Sequence, residues 1–235
     1  MNWMKKVAVA LVCLLPLGLQ AAKVDTLQVK SPSMNKSIEV VVVSPDVAAT
    51  KACPVIYLLH GYGGNARTWV GIKPDLPKIA DEKGVFFVCP DGKNTWYWDS
   101  PLNADVRYET FISDELVKYV DSHYKTVADR KGRAITGLSM GGHGAMWNGL
   151  RHSDVFSAAG STSGGVDIRP FSKNWEMSVQ IGEKAQYPEN WEKYTVINLV
   201  PTLRKDQIAL IFDCGDSDFF LEVNKNYHEA LLKQG

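Results

Sequence analysis

The chain lacks most of the features that announce a function at first sight. Its 235 residues carry 26 basic and 26 acidic side chains, so no charge of either sign is in excess. With no basic tract, there is no electrostatic footprint for nucleic acid. Cysteine is scarce, four residues in all, and neither CxxC nor HExxH occurs, so the common metal patterns are missing. No repeat period is present, which excludes solenoids and arrays. The longest apolar run, 7–19, has 13 residues broken by Pro16 and Gly18, too short to span a bilayer as a stable helix. What is there, 45% hydrophobic and 22% charged residues, suits one globular α/β domain or at most two small ones.

That apolar run follows Lys5 and Lys6 and precedes Ala21 and Ala22. A positive start, a short apolar stretch and small residues at its end are the order of a secretory signal peptide, here 1–22. Cys13 lies inside the run rather than after the cleavage site, so a lipid or membrane anchor is not expected. The competing reading is a buried amphipathic helix. Cleavage removes two lysines and no acid, leaving 24 basic against 26 acidic side chains, in a protein expected to be secreted or periplasmic. Cys53, Cys89 and Cys214 remain, too few for a disulfide framework although one pair could form. Each borders an apolar run and reads as a buried structural thiol.

From residue 23 onward, strand and helix patterns alternate. Short uninterrupted apolar runs at 38–43, 55–59, 85–88, 134–138 and 208–212 fit strands buried on both faces. Between them Phe111, Ile112, Leu116, Tyr119 and Val120 recur at helical spacing, as do Phe220, Val223, Tyr227, Ala230 and Leu231, with Gly235 as a candidate cap. The alternation predicts a mostly parallel sheet flanked by helices. Residues 166–205 match neither pattern and are expected to form an irregular insertion over the C-terminal edge of that sheet.

The chemistry gathers at Gly137-Leu138-Ser139-Met140-Gly141, where a strand runs into a helix. Gly-x-Ser-x-Gly in that setting is a nucleophile elbow, holding the serine hydroxyl above the sheet at a helix N-terminus. The plainer alternative is a serine that merely caps the helix. His60-Gly61-Tyr62-Gly63-Gly64 follows an earlier strand, so the N–H groups of Tyr62 and Met140 form a candidate oxyanion hole. His60 and His143 read as packing or hydrogen-bonding residues rather than bases. Asp213, Asp216 and Asp218 follow the strand at 208–212, and spacing alone favours Asp218 as the acid without excluding its neighbours. Trp96 and Trp98 sit in a loop at the ligand-binding end of the sheet. They serve either as a substrate-stacking platform or as the loop's own anchor.

Together LLHGYGGN (58–65), CPDG (89–92), WYWDSP (96–101), ITGLSMGGHGA (135–145) and FDCGDSDFFLEVNKNYHEAL (212–231) resemble the esterase D / feruloyl esterase-like group of α/β-hydrolases. That superfamily also includes S-formylglutathione hydrolases and mycolyltransferases. The resemblance covers most of the chain after residue 22. It implies an α/β-hydrolase fold, Ser139 as nucleophile, Tyr62 and Met140 as oxyanion donors, and Asp218 as the acid. It implies no cofactor and no metal. One element departs from the pattern, because the family's histidine follows one further strand beyond the acid. None of His60, His123, His143, His152 and His228 has that position, and His228 falls mid-helix. The expectation is therefore a C-terminally truncated esterase lacking the last strand, the histidine and a closing helix, with the strand at 208–212 left as an open edge prone to association. Export favours esters such as acetyl or feruloyl groups on polysaccharide. The alternatives are an acyltransferase of the mycolyl type and a non-catalytic carbohydrate-binding protein.

Overall fold

The computed structural model describes residues 22–234, so the leader proposed at 1–22, apart from Ala22, and the cap proposed at Gly235 lie outside the described residues. Seven strands form one sheet: β1 (Lys23–Ser31), β2 (Lys36–Ser44), β3 (Val55–Leu59), β4 (Phe86–Pro90), β5 (Arg133–Gly137), β6 (Ala158–Thr162) and β7 (Ala209–Asp213). Their order is β1-β2-β4-β3-β5-β6-β7. β1 and β2 form an antiparallel hairpin, β2 lies antiparallel to β4, and every other pairing is parallel. The fold is that of an α/β-hydrolase.

Alternation along the strands divides the core. Val40 and Val42 face one side with Tyr57, Leu59 and Val88, beneath the helical segment 108–123, the Met140–Arg151 helix and the Leu221–Gln234 helix. Val41 and Val43 face the other side, where Leu58, Phe87 and Cys89 meet Leu76 and Ala80 of the Leu76–Lys83 helix. A strand with side chains alternating between two covered faces reads as a continuous apolar run, which is why β2, β3 and β4 were legible. Within 108–123 the turn Phe111–Glu115 is a π-bulge. No helix among the described residues is long and apolar enough to cross a membrane.

Two strands escaped the sequence reading. β1 is an edge strand with mostly exposed or half-buried positions, and β6 is built from Ala158, Ala159 and Gly160 rather than β-branched residues. Small residues suffice there because Gly149 of the neighbouring helix comes against Ala159. The run at 208–212 is also corrected. It does form a strand, but one whose positions alternate between exposed and half-buried rather than being buried on both faces. Leu210 and Phe212 pack on the core, whereas Ile211, on the opposite face, is 76% exposed. The segment 166–205 contains four short helical stretches, Arg169–Phe171, Met177–Ile181, Pro188–Lys193 and Val196–Thr202. They are too short for helical periodicity to show.

Candidate active site

Ser139 sits between the end of β5 and the Met140–Arg151 helix, with φ 56° and ψ −115°. A non-glycine residue held there costs roughly 1–3 kcal/mol and persists only where its surroundings dictate it. The surroundings do so. Ser139 N donates to the Thr162 carbonyl at 2.9 Å, and Ser139 O accepts from His143 N at 3.0 Å. A side-chain carbon on Gly137 would collide with the backbone of Gly141, and one on Gly141 with the carbonyl of Leu59. The tight strand-to-helix turn therefore needs both glycines. The half-buried serine makes no capping hydrogen bond, so the alternative of a capping residue is not realised.

The loop after β3 lies against this turn. A side-chain carbon on Gly61 would stand 3.3 Å from Leu138 O and 3.6 Å from the Ser139 Cβ. His60, only 1% exposed, sets the loop's shape. Its Nε2 accepts from Gly92 N at 2.9 Å, so Nδ1–H donates to Gly61 O at 2.8 Å and the ring is neutral. The same Gly61 carbonyl accepts from Gly64 N at 3.0 Å, closing a turn. Asp91 lies beside the imidazole at 3.5 Å. Burial opposes its charge, yet Lys93, through its ammonium at 2.6 Å and its backbone N–H at 2.9 Å, outweighs that and holds the carboxyl well below the usual range. Among the described residues, neither Tyr62 N nor Met140 N has an intramolecular acceptor.

The loop after β7, which carries Asp213, Asp216 and Asp218, is linked to this turn through β6. Thr162 O holds Ser139 N, while the next residue, Ser163, donates its N–H to Asp213 O at 2.8 Å. Asp218 N donates to Gly215 O at 3.0 Å, and Asp218 Oδ1 accepts from Phe220 N at 2.7 Å. Asp218 thus precedes the last helix, Leu221–Gln234, with one carboxylate oxygen committed and the other without a protein donor among the described residues. Asp213 and Asp216 are exposed. Cys214 is a half-buried free thiol, as Cys53 and Cys89 are buried free ones. Burial, with help from Asp218 and Asp213 and against a hydrogen bond to Ser163, pushes the Cys214 thiol up and away from thiolate chemistry. Among the described residues no group of three His, Cys, Asp or Glu side chains converges as a metal site requires.

Among the described residues no histidine side chain is hydrogen-bonded to Ser139. His143 is fully buried, with Nδ1 bonded to Gly165 O at 2.9 Å and Nε2 unpartnered. It stands edge-on to Trp96 and Trp98, with centroids 5.2 and 5.1 Å away. Burial pushes it down to about 4 against the opposing backbone bond. His152 binds Glu109 at 2.9 Å, His123 stacks on Tyr119 at 4.0 Å, and His228 lies 6.1 Å from the Phe212 ring. No hydrogen bond joins any of them to the Ser139 side chain.

Trp96 and Trp98 are 1% and 0% exposed, stacked on each other at 5.7 Å. In this packing they anchor their loop and offer no face to a ligand. The aromatic rim lies elsewhere, in residues the sequence reading passed over. Trp175 meets Phe219, 59% exposed, at 5.1 Å and Phe171 at 5.7 Å. Its neighbour Glu176 lies near the Tyr62 hydroxyl, which burial and then that carboxylate push up, and accepts from Asn94 Nδ2 at 3.4 Å, while Asn94 Oδ1 accepts from Gly63 N at 2.9 Å. Trp175 and Glu176 both hold positive φ, 50° and 53°. The insertion thus reaches back to the oxyanion loop through a strained turn. The only signal in the sequence was a density of aromatics at 171–175 and 219–220.

These features have counterparts among known proteins. An esterase of Mycobacterium tuberculosis is 29% identical over 149 residues, 60% of this chain and 32% of its own. This chain therefore spans about a third of that relative. An acetyl esterase of Caldicellulosiruptor saccharolyticus is 25% identical over 202 residues, 77% of this chain and 71% of its own. Among solved structures, a ferulic acid esterase superposes with a TM-score of 0.74 at 29% identity, covering 92% of this chain and 88% of that one. An S-formylglutathione hydrolase from Agrobacterium tumefaciens gives 0.74 at 23% identity, over 91% and 83% respectively, a likeness of fold. The family model named Esterase matches residues 31–233, and the chain belongs to that family.

Proposed function

We propose that this chain is the hydrolase domain of an exported serine carboxylesterase acting on acyl esters met outside the cytoplasm, acetyl or feruloyl groups on polysaccharide being the favoured class. The observation that carries the reading is Ser139 at φ 56° without a capping bond, packed against the Gly61 turn, with Tyr62 N–H and Met140 N–H both without an acceptor among the described residues. In this mechanism the Ser139 oxygen attacks the ester carbonyl, its proton passes to the base, and the carbonyl oxygen becomes an anion. Tyr62 N–H and Met140 N–H stabilise that anion, the C–O bond breaks as the alcohol departs with the proton from the base, and water cleaves the acyl-serine. Asp218 is the acid that orients the base. The base itself is none of the five histidines of this sequence, since none of them is hydrogen-bonded to the Ser139 side chain, and the chain on its own is expected to be impaired. The acyl preference is supported by the ferulic acid esterase and acetyl esterase relatives, and export by the leader pattern at 1–22.

The missing base also favours a second reading, a carbohydrate-binding protein that keeps the scaffold without turnover. A mycolyl-type acyltransferase shares the Ser139 chemistry and differs in handing the acyl group to a sugar hydroxyl. Release of acetate or ferulate from model esters and feruloylated xylan, with Ser139→Ala as control and a sugar acceptor added in parallel, separates these readings. The esterase reading expects slow hydrolysis that Ser139→Ala abolishes. Turnover unaffected by Ser139→Ala, or acyl sugar as the main product, overturns it.

A further inference from the structure

The cavity beyond the oxyanion loop contains an arrangement of charge that the ester chemistry does not use. It measures about 480 Å³ and lies between the β1–β2 hairpin and the segments 65–67 and 91–93, within the size range of small-ligand pockets. Three cations reach it, Lys36, Arg67 and Lys93, against two carboxylates, Glu39 and Asp91. Lys93 is spent on Asp91 at 2.6 Å. Arg67 keeps a loose contact with Glu39 at 3.8 Å and one bond to Thr26 at 3.1 Å, leaving guanidinium donors free. Lys36 has no carboxylate within salt-bridge distance among the described residues. It rests 5.1 Å over the Tyr108 ring and donates to Asp105 O at 3.1 Å. The cavity therefore holds one uncompensated positive charge and a guanidinium fork, the pair of groups suited to a carboxylate. Gln28, Ser37 and Asn65 supply hydroxyl and amide partners on the same walls.

The cavity is also near the ester site. Gly61, against Ser139, and Gly64 are the ends of one turn, which spans less than about 7 Å, and Asn65 follows it directly onto the cavity wall. Asn94, bonded to Gly63, is the neighbour of Lys93.

We propose that this cavity binds the carboxylate-bearing sugar of an acidic oligosaccharide, with Lys36 and Arg67 as its charge contacts. The assignment deepens the esterase reading and rests on it for the role of placing a neighbouring ester at Ser139. Binding is tested with the full chain carrying Ser139→Ala, so that nothing turns over. The titrants are a glucuronate-bearing xylo-oligosaccharide, a neutral one of equal length, and inorganic phosphate. The acidic oligosaccharide is expected to bind at least tenfold tighter than the neutral one at low salt. That advantage shrinks as salt screens it and disappears in Lys36→Gln/Arg67→Gln with the thermal midpoint unchanged. Equal binding of the two oligosaccharides overturns the proposal, as does an advantage that survives the double substitution. Phosphate bound as tightly as the acidic oligosaccharide reduces the cavity to a plain anion site and overturns it too. An acidic preference in the Ser139→Ala chain, together with no Ser139-dependent hydrolysis by the unsubstituted chain, would sink the esterase reading and leave this site standing.

Discussion

On one side of Ser139 the strands β3 and β4 are buried almost throughout, and the turn they face is closed by glycines that admit no side chain. On the other side β7 alternates between exposed and half-buried positions, and the acid loop beyond it hangs on few hydrogen bonds. Ser139 and the loop after β3 thus belong to a tightly packed part of the molecule, and Asp218 to a more open one. A strained serine needs neighbours that cannot relax, because the strain would otherwise be relieved by a shift of backbone. A carboxylate that orients a partner needs only to be near it.

The contrast is broken most directly at Gly141. Gly141→Ala drives a carbon into the Leu59 carbonyl, and we expect a loss of about 3 kcal/mol or more in urea denaturation. A smaller loss would show that the elbow can yield. A similar magnitude is expected from pH. His143 is neutral in the fold down to about 4 and takes its proton at 6.5 in the unfolded chain. Its contribution is fully present above 6.5 and is lost as pH falls toward 4, by roughly 3 kcal/mol. Denaturation at pH 7.5 and 4.5 should show that slope, reduced in His143→Gln, which can still donate to Gly165 O.

A gain comes next. Ser139→Gly removes the side chain that dislikes positive φ, and stability should rise by about 1 kcal/mol while reactivity is lost. No gain would mean that the turn is less strained than its dihedrals imply. The smallest effect belongs to the exposed edge, where Ile211→Thr should change stability by less than about 0.5 kcal/mol. A large loss there would show that something covers β7.

Legibility from sequence followed the same division. Ser139, Gly61 and Tyr62 could be read because strand, glycine and nucleophile are contiguous and each residue type is demanded by local geometry. His60 and His143 read correctly as hydrogen-bonding and packing residues. β6 escaped because its small residues matter only once Gly149 packs on them. The β7 run looked like a doubly covered strand, since composition registers hydrophobicity and not whether a helix comes to lie on it. Trp96 and Trp98 looked like a platform for the same reason, being aromatic at the ligand end of the sheet yet turned inward onto His143. The contact of Glu176 with Tyr62 joins segments far apart in sequence, and no local pattern encodes it.

In the proposed mechanism Ser139 and its oxyanion donors are built while no histidine of this chain serves as its base. Intact-mass kinetics with a fluorophosphonate probe test it most directly, from pH 6 to pH 9, with and without added imidazole and with Ser139→Ala alongside. The account predicts a single slow adduct on Ser139, a rate that climbs with pH without a plateau near neutrality, acceleration by imidazole, and no adduct in Ser139→Ala. Rapid labelling that levels off near neutral pH and ignores imidazole would contradict it, and would mean that one of the five histidines reaches the serine after all.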